Sequence, residues 1–297
     1  MVTSPAVLPG PTSEKSGAAP TSNGTESRSN AVVRRIGGRV LALLAFIAAW
    51  WAVTATGLID ALFLPSPGAV WAAFVQANSW HQIATGVDRL VQGEQGYFLW
   101  EHLVASCQRI LAGVGAAIVF GPLLGFLMGS WRPLNTLLEP YLNFLRALPP
   151  LGYIGLLIVW FGIGDTSKIW LLFLAAFPAI TIATINGVQA VPRDHINAVR
   201  SLGANRRQVL TEVVLPSTAP EVITGIRIAV GFAWTTVVAA ELNNGIPGIG
   251  GLAYLSGTQL NTPLTIACII VIGITALALD ALIKWIGVLA VPWKGKS

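Results

Sequence analysis

The chain has 297 residues, of which 54% are hydrophobic and only 10% charged, with a mean hydropathy of +0.68. Soluble domains carry about 25% charged residues, so this composition excludes an ordinary water-soluble protein, and several apolar stretches reach the roughly 20 residues needed to cross a bilayer. The net charge of +5 comes from basic residues in short segments between apolar runs, not from one dense patch, which argues against nucleic acid as a partner.

Residues 1–33 read as a disordered tail on the near side of the membrane, rich in Ser, Thr, Pro, Gly and Ala over 1–30. The remainder, 34–297, reads as an all-α, polytopic unit of six spans. Arg34, Arg35 and Arg39 precede the first span, Val40 to Ile59, and favour an inside N-terminus. From Asp60 to about Cys107 the sequence is mixed, with a turn at Pro65 and Pro67 and short amphipathic stretches, and is expected to lie outside.

The second span is expected from about Arg109 to Gly129, with Gly113, Gly121, Gly125 and Gly129 letting another helix approach closely. Trp131, Arg132 and Pro133 form an inner turn. A third apolar stretch, Leu137 to Phe161, is interrupted by Pro149 and Pro150, which remove helix donors. Such a break is tolerated in a membrane only against protein or a cavity. After an outer turn at Gly162–Asp165, Lys168 leads into a fourth span ending near Val188. A fifth is expected from Thr218 to Ala240 and a sixth from Pro263 to Leu289. Twelve basic residues of the inner segments stand against Arg89 and Lys168 outside, which places both termini inside.

Polar groups within the spans are costly and face protein or a cavity. Arg146, Arg227, Trp234, Thr235, Thr236 and Glu241, with the Pro149–Pro150 break, are therefore the candidates for a translocation path. Arg146 and Arg227 either attract an anion or snorkel to headgroups. Glu241, beside Asn243, Asn244 and a glycine-rich loop, marks a docking face or ends its helix. Asp280 pairs within the bundle or with Lys284 at i+4. Cys107 and Cys268 read as small packing residues, and His81, His102 and His195 are too scattered for a metal site.

The most polar internal segment is 190–217, AVPRDHINAVRSLGANRRQVLTEVVLPS. It reads as two short helices under the membrane: Asp194 caps the first, Gly203-Ala204-Asn205 turns the chain, and Pro216 closes the segment. A basic amphipathic loop of this kind rests on anionic lipid or docks a soluble subunit by an apolar ridge rimmed by Arg200, Arg206 and Arg207.

This segment resembles the cytoplasmic loop of binding-protein-dependent ABC importer permeases, E-A-A-x-x-x-G followed by a hydrophobic-x-L-P ending. Asn197-Ala198-Val199 stands at Glu-Ala-Ala, Gly203 at the glycine, and Val213–Pro216 at the end. Asn197 departs from the usual glutamate. FLPSPGAV at 63–70, WFGIGDTSKI at 160–169, SLGANRRQVLTEVVLP at 201–216, ITGIRIAVGFAWTTVVAAEL at 223–242 and VPWKG at 291–295 extend the resemblance to the taurine, alkanesulfonate, nitrate and bicarbonate branch, and most to taurine permeases.

The resemblance implies a type I importer permease in the cell membrane, working as a homodimer with two cytoplasmic ATPases and an external substrate-binding protein. It assigns ATPase coupling to Asn197, Ala198, Arg200, Leu202, Gly203, Arg206 and Arg207. The chain carries no G-x-x-x-x-G-K-[ST] loop, so ATP and Mg are expected on the partner ATPase, with no cofactor or metal bound here and no catalysis by this subunit. Taurine or another sulfonate is the expected solute, with nitrate or bicarbonate as alternatives. A membrane-embedded enzyme using Arg146, Arg227 and Glu241, or a non-transporting scaffold, are the rival readings.

Overall fold

The computed structural model describes residues 24–82, 88–243 and 245–293; the first part of the expected tail, Asn244, Lys294 and Lys296 lie outside them. Among the described residues, five helices are long and apolar enough to cross a membrane: α1 (Gly24–Ala55, apolar from Gly37), α3 (Leu99–Ser130), α6 (Asp165–Gln189), the run ending in α9 (Leu215–Glu241), and α11 (Thr262–Ala290). A bent pair, α4 (Arg132–Ala147) and α5 (Pro150–Phe161), makes the sixth. Helix α1 starts at Gly24, within the segment expected to be tail. Between α1 and α3 lie α2 (Pro67–Gln76) and a two-stranded hairpin, β1 (Trp80–Gln82) with β2 (Leu90–Gln92), in register Trp80 to Gln92. The short amphipathic stretches expected between the first two spans are one helix and this small hairpin, within a helical membrane architecture.

Helix α6 is the centre of the bundle, packed against α3 on one side and α9 on the other. In lipid the apolar effect does little to pair helices, so close backbone approach and dispersion must do it. On α3, Gly113, Ala117, Gly121, Gly125 and Gly129 recur every four residues and form one stripe. A Cβ on Gly125 would stand 2.5 Å from Thr184 Cβ, and one on Gly113 would stand 2.6 Å from Leu172 Cβ. Gly187 and Gly225 do the same between α6 and α9, where a Cβ on Gly225 would meet Ala183 Cβ at 2.5 Å. The main core, with Val114, Leu172, Ile180, Ala233 and Val237, fills the space around these seams.

The α4–α5 bend of 99° follows from local chemistry. The residue before a proline is pushed out of the helical region. Leu148 precedes Pro149 and Pro149 precedes Pro150, and both are extended, at ψ 127° and 129°. Pro150 then opens α5, where its missing N–H costs nothing. Helix α4 lays Leu134, Leu138 and Leu142 against Met128 and Ile185, and leaves Arg146 exposed in its last turn.

At the end of the bundle where α9 stops, α10 (Ile249–Thr258) caps α3, α9 and α11. Its first amides are satisfied by side chains of the spans. Gly248 N–H donates to His102 Nδ1 at 3.0 Å, Ile249 N–H to Ser106 Oγ at 3.0 Å, and Gly250 N–H to Glu241 Oε2 at 2.8 Å. His102 therefore carries its proton on Nε2, which donates to the Glu94 carbonyl at 3.1 Å. Glu241 Oε1 also accepts from Ser106 Oγ at 2.7 Å and Arg109 Nη1 at 2.6 Å. Arg109 continues to Asp165 Oδ1 through Nε at 2.8 Å and to the Pro247 carbonyl through Nη2 at 2.8 Å. Lys168 Nζ reaches Asp165 Oδ1 at 3.5 Å. Arg109, Lys168 and Glu241 are buried, and only Asp165 faces outward.

Two outcomes test this packing. Gly125→Leu should destabilise the chain by at least about 1–3 kcal/mol through overpacking, seen as loss of monodisperse protein in heated size-exclusion runs. Gly115→Leu, whose Cβ meets nothing within 4 Å, should leave the profile unchanged. Glu241→Gln should cost about 3–5 kcal/mol by leaving Arg109 with a buried, unbalanced charge, whereas Asp165→Asn should cost less, because solvent at the exposed rim screens the charge that is lost.

Candidate functional site

Two features stand out, a polar surface at one end of the bundle and a cavity within it. The surface is the connection between α6 and α9. Helix α7 (Arg193–Ser201) begins after Pro192, with no side chain capping it, and Asp194 sits in the first turn, where its charge favours the helix N-terminus. That corrects the capping role expected for Asp194. The helix ends in a Schellman turn: Gly203 at φ 89°, its N–H donating to Arg200 O, and Ala204 N–H to Val199 O. Glycine is required there because a side chain disfavours this φ. Asn205 then opens α8 (Arg206–Gln208) in a capping box, each side chain accepting from the other's backbone N–H at 2.9 Å.

No second short helix is closed off at Pro216. Helix α8 runs through a π-helical turn, Val209–Val214, into α9, giving one continuous run from Arg206 to Glu241. A proline in a helix lacks the N–H donated to residue i−4 and its ring crowds that carbonyl. The wider turn, with Leu215 N–H donating to Leu210 O, lets Pro216 enter at the start of α9. Val191, Val209 and Val214 anchor the connection to Phe126 and Val188. Asn197, Ala198, Arg200, Gly203, Arg206 and Arg207 are all exposed, and Leu202 is 88% exposed at the tip. The expected coupling residues thus share one uncovered surface.

The cavity, about 650 Å³, lies at the α4–α5 break. Arg146, Pro149, Pro150 and Tyr153 line it from one side, Ala179, Ala183 and Asn186 from α6, and Ile228 and Phe232 from α9. Arg146 and the proline pair, singled out from sequence, are brought together here. Asn186 and Tyr153 were not singled out; Asn186, near the end of an apolar helix, was the available signal.

Other expected path residues separate. Along α9 the exposed face carries Ile228, Phe232 and Thr235, whereas Trp234 turns away from it into the core, and Thr236, one turn beyond Phe232, is buried. Trp234 Nε1 has no hydrogen-bond partner among the described residues, and Thr236 donates to the Phe232 carbonyl. Arg227 lies on the α11 side, paired through Nε and Nη2 with Asp280 at 2.9 and 3.0 Å. Of the two alternatives for Asp280, the bundle partner is the one formed. Glu241 is a buried hub at the far end of α9, and Asn243 is exposed beside it. Arg109, Asp165 and Lys168, its charged neighbours, were read only as span edges, and α3 extends further toward the hairpin than the apolar pattern indicated. Outside the spans, burial holds the Glu94 carboxyl above the usual carboxylate range, opposed by His81. Cys268 is buried and Cys107 only partly so.

Comparison with known proteins bears on this arrangement. Residues 117–294 match the family model described as the binding-protein-dependent transport system inner membrane component. The chain is 37% identical to the taurine transport system permease protein TauC of Escherichia coli over 86% of its length and 88% of that protein's. It is 32% identical to the nitrate import permease protein NrtB of Synechococcus elongatus, over 85% and 89%. The bicarbonate transport system permease protein CmpB of the same organism is 34% identical over 65% and 69%. Among solved structures, a chain of the inward-facing MetNI methionine ABC transporter superposes with TM-score 0.52 at 22% identity, over 65% of this chain and 94% of that one. The family match, these relatives and the helical membrane architecture agree: the chain belongs to the binding-protein-dependent transport system inner membrane components, and is a multi-pass, non-catalytic subunit of an ABC importer.

Proposed function

We propose that this permease carries a small anionic solute, taurine or another sulfonate, into the cell, with the α7 surface docked on a cytoplasmic ATPase. The observation that carries the reading is mechanical continuity. The exposed turn at Leu202–Arg207 continues without a break through the π-turn into α9, whose exposed face at Ile228 and Phe232 lines the cavity. A push on α7 or α8 therefore moves one wall of the cavity relative to Arg146 and Tyr153 on the other. ATP drives transport only by favouring one arrangement over the other. ATP and Mg act on the partner polypeptide, and this chain supplies the lever.

In this reading α7 and both termini are cytoplasmic, which follows the basic residues of the inner segments, and the α10 end faces an external substrate-binding protein. A second copy of the chain closes the cavity into a path. Arg146 at its edge suits an anion, because a guanidinium gives a sulfonate paired donors. The sulfonate preference is supported by the 37% identity to a taurine permease, while the nitrate and bicarbonate relatives keep those anions as the second reading.

Reconstituted with its ATPase and binding protein, the Arg206→Glu/Arg207→Glu variant should lose at least about tenfold of solute-stimulated ATP hydrolysis, as charge reversal at a docking rim opposes association. Undiminished stimulation would remove the docking assignment. Calorimetric titration of the partner binding protein should show tight heat-producing binding of taurine; heat from nitrate or bicarbonate alone would replace the solute and leave the permease architecture untouched.

A further inference from the structure

A second cavity, about 300 Å³, opens between α9 and α11 on the face away from the proposed path. Pro220, Ile223 and Thr224 line it from α9, Gly287 and Val288 from α11, and Val291 and Pro292 from beyond α11's end. Its two charged lining residues are both basic, Arg227 and Lys284. Arg227 is committed on one edge, where Nε and Nη2 meet Asp280, leaving Nη1 outside the pair. Lys284 lies one turn further along α11 and is exposed. Against two cations stands one carboxylate, so the cleft keeps a net positive charge.

Its surroundings have the composition expected at a bilayer boundary. Trp285 and Trp293 are 60% and 46% exposed near the same end of α11, and Leu282, Val288 and Leu289 are exposed beside them. Tryptophan gathers at the level of lipid headgroups, and the exposed aliphatic side chains beside these two suit acyl chains. A basic cleft between spans at this depth matches a phosphate headgroup whose own tails occupy the adjoining apolar surface. A free solute anion would have to reach the same cleft from the lipid-facing side.

We propose that the cleft between α9 and α11 is a binding site for an anionic phospholipid, whose phosphate is held by Arg227 and Lys284. The bound headgroup would brace α9 against α11 near the half of α9 that continues from the α7 surface. The site depends on the membrane-spanning architecture, and not on the identity of the solute or on ATPase docking.

The complete chain, purified with its partner subunits and stripped of lipid, is titrated with phosphatidylglycerol and separately with phosphatidylcholine, and bound lipid is counted by native mass spectrometry. Phosphatidylglycerol should be retained in preference, and Lys284→Gln should weaken its retention about fivefold, the contribution of one basic residue near a charged headgroup. Lys284→Arg should restore it. Equal retention of the two lipids by the unmodified protein, a comparison that does not depend on any variant folding, overturns the proposal, as does retention indifferent to Lys284→Gln. Displacement of phosphatidylglycerol by inorganic phosphate or taurine would assign the cleft to a free anion and overturn it equally.

Discussion

The carboxylate of Glu241 is buried at the end of a membrane helix, and much of the architecture around it follows from that. A buried charge is tolerated only when paired and fully hydrogen-bonded. Glu241 meets that demand with Arg109 from α3, the Ser106 hydroxyl and the Gly250 amide. Arg109 in turn needs Asp165 at the start of α6 and the Pro247 carbonyl. One acid thereby sets where α3, α6, α9 and α10 converge. The glycines of the loop serve the same end: a Cβ on Gly248 would stand 2.6 Å from the Glu241 carboxyl carbon, and one on Gly250 would stand 3.0 Å from Oε2.

Toward the other end no buried ion pair joins the spans among the described residues, and the Arg227–Asp280 pair between α9 and α11 is half-exposed. Helices α6 and α9 meet through Gly187 and Gly225, and the α7 turn is built by local hydrogen bonds with its polar face uncovered. In the proposed reading, a bundle clamped at one end by charge and held along its length by close backbone contact tilts about the clamp when force is applied at the other end. The cavity at the α4–α5 break lies beside that lever, between an element bent by consecutive prolines and the exposed face of α9. Rigidity and compliance are thus distributed by residue type, with ion pairs and glycine seams in one place and a proline break in another.

Features governed by local chemistry were legible in the chain. Twenty-residue apolar runs, the Pro149–Pro150 break, the small-residue repeat on α3, and Gly203-Ala204-Asn205 as a turn all depend on residues close together in sequence, and each appears where its pattern lies. Arg146 and the proline pair were read into one path with Arg227, Trp234, Thr235, Thr236 and Glu241; of that set these three, close together in sequence, line one cavity.

What tertiary structure alone decided is the company each polar residue keeps. Trp234 and Thr236 share a helix with Thr235, and only the packing of neighbouring elements around α9 buries the first two and leaves the third exposed. Arg227 and Asp280 are far apart in sequence, so no spacing rule joins them. The start of α3 was hidden because Glu101, His102, Ser106 and Arg109 interrupt the apolar pattern; their partners on the hairpin, α6, α9 and α10 are what make those polar groups compatible with a buried helix. Composition and local pattern determine which segments enter a membrane, because transfer cost depends mainly on the side chain itself. Satisfying the charges that enter with them is a three-dimensional condition, met by groups from four separate segments.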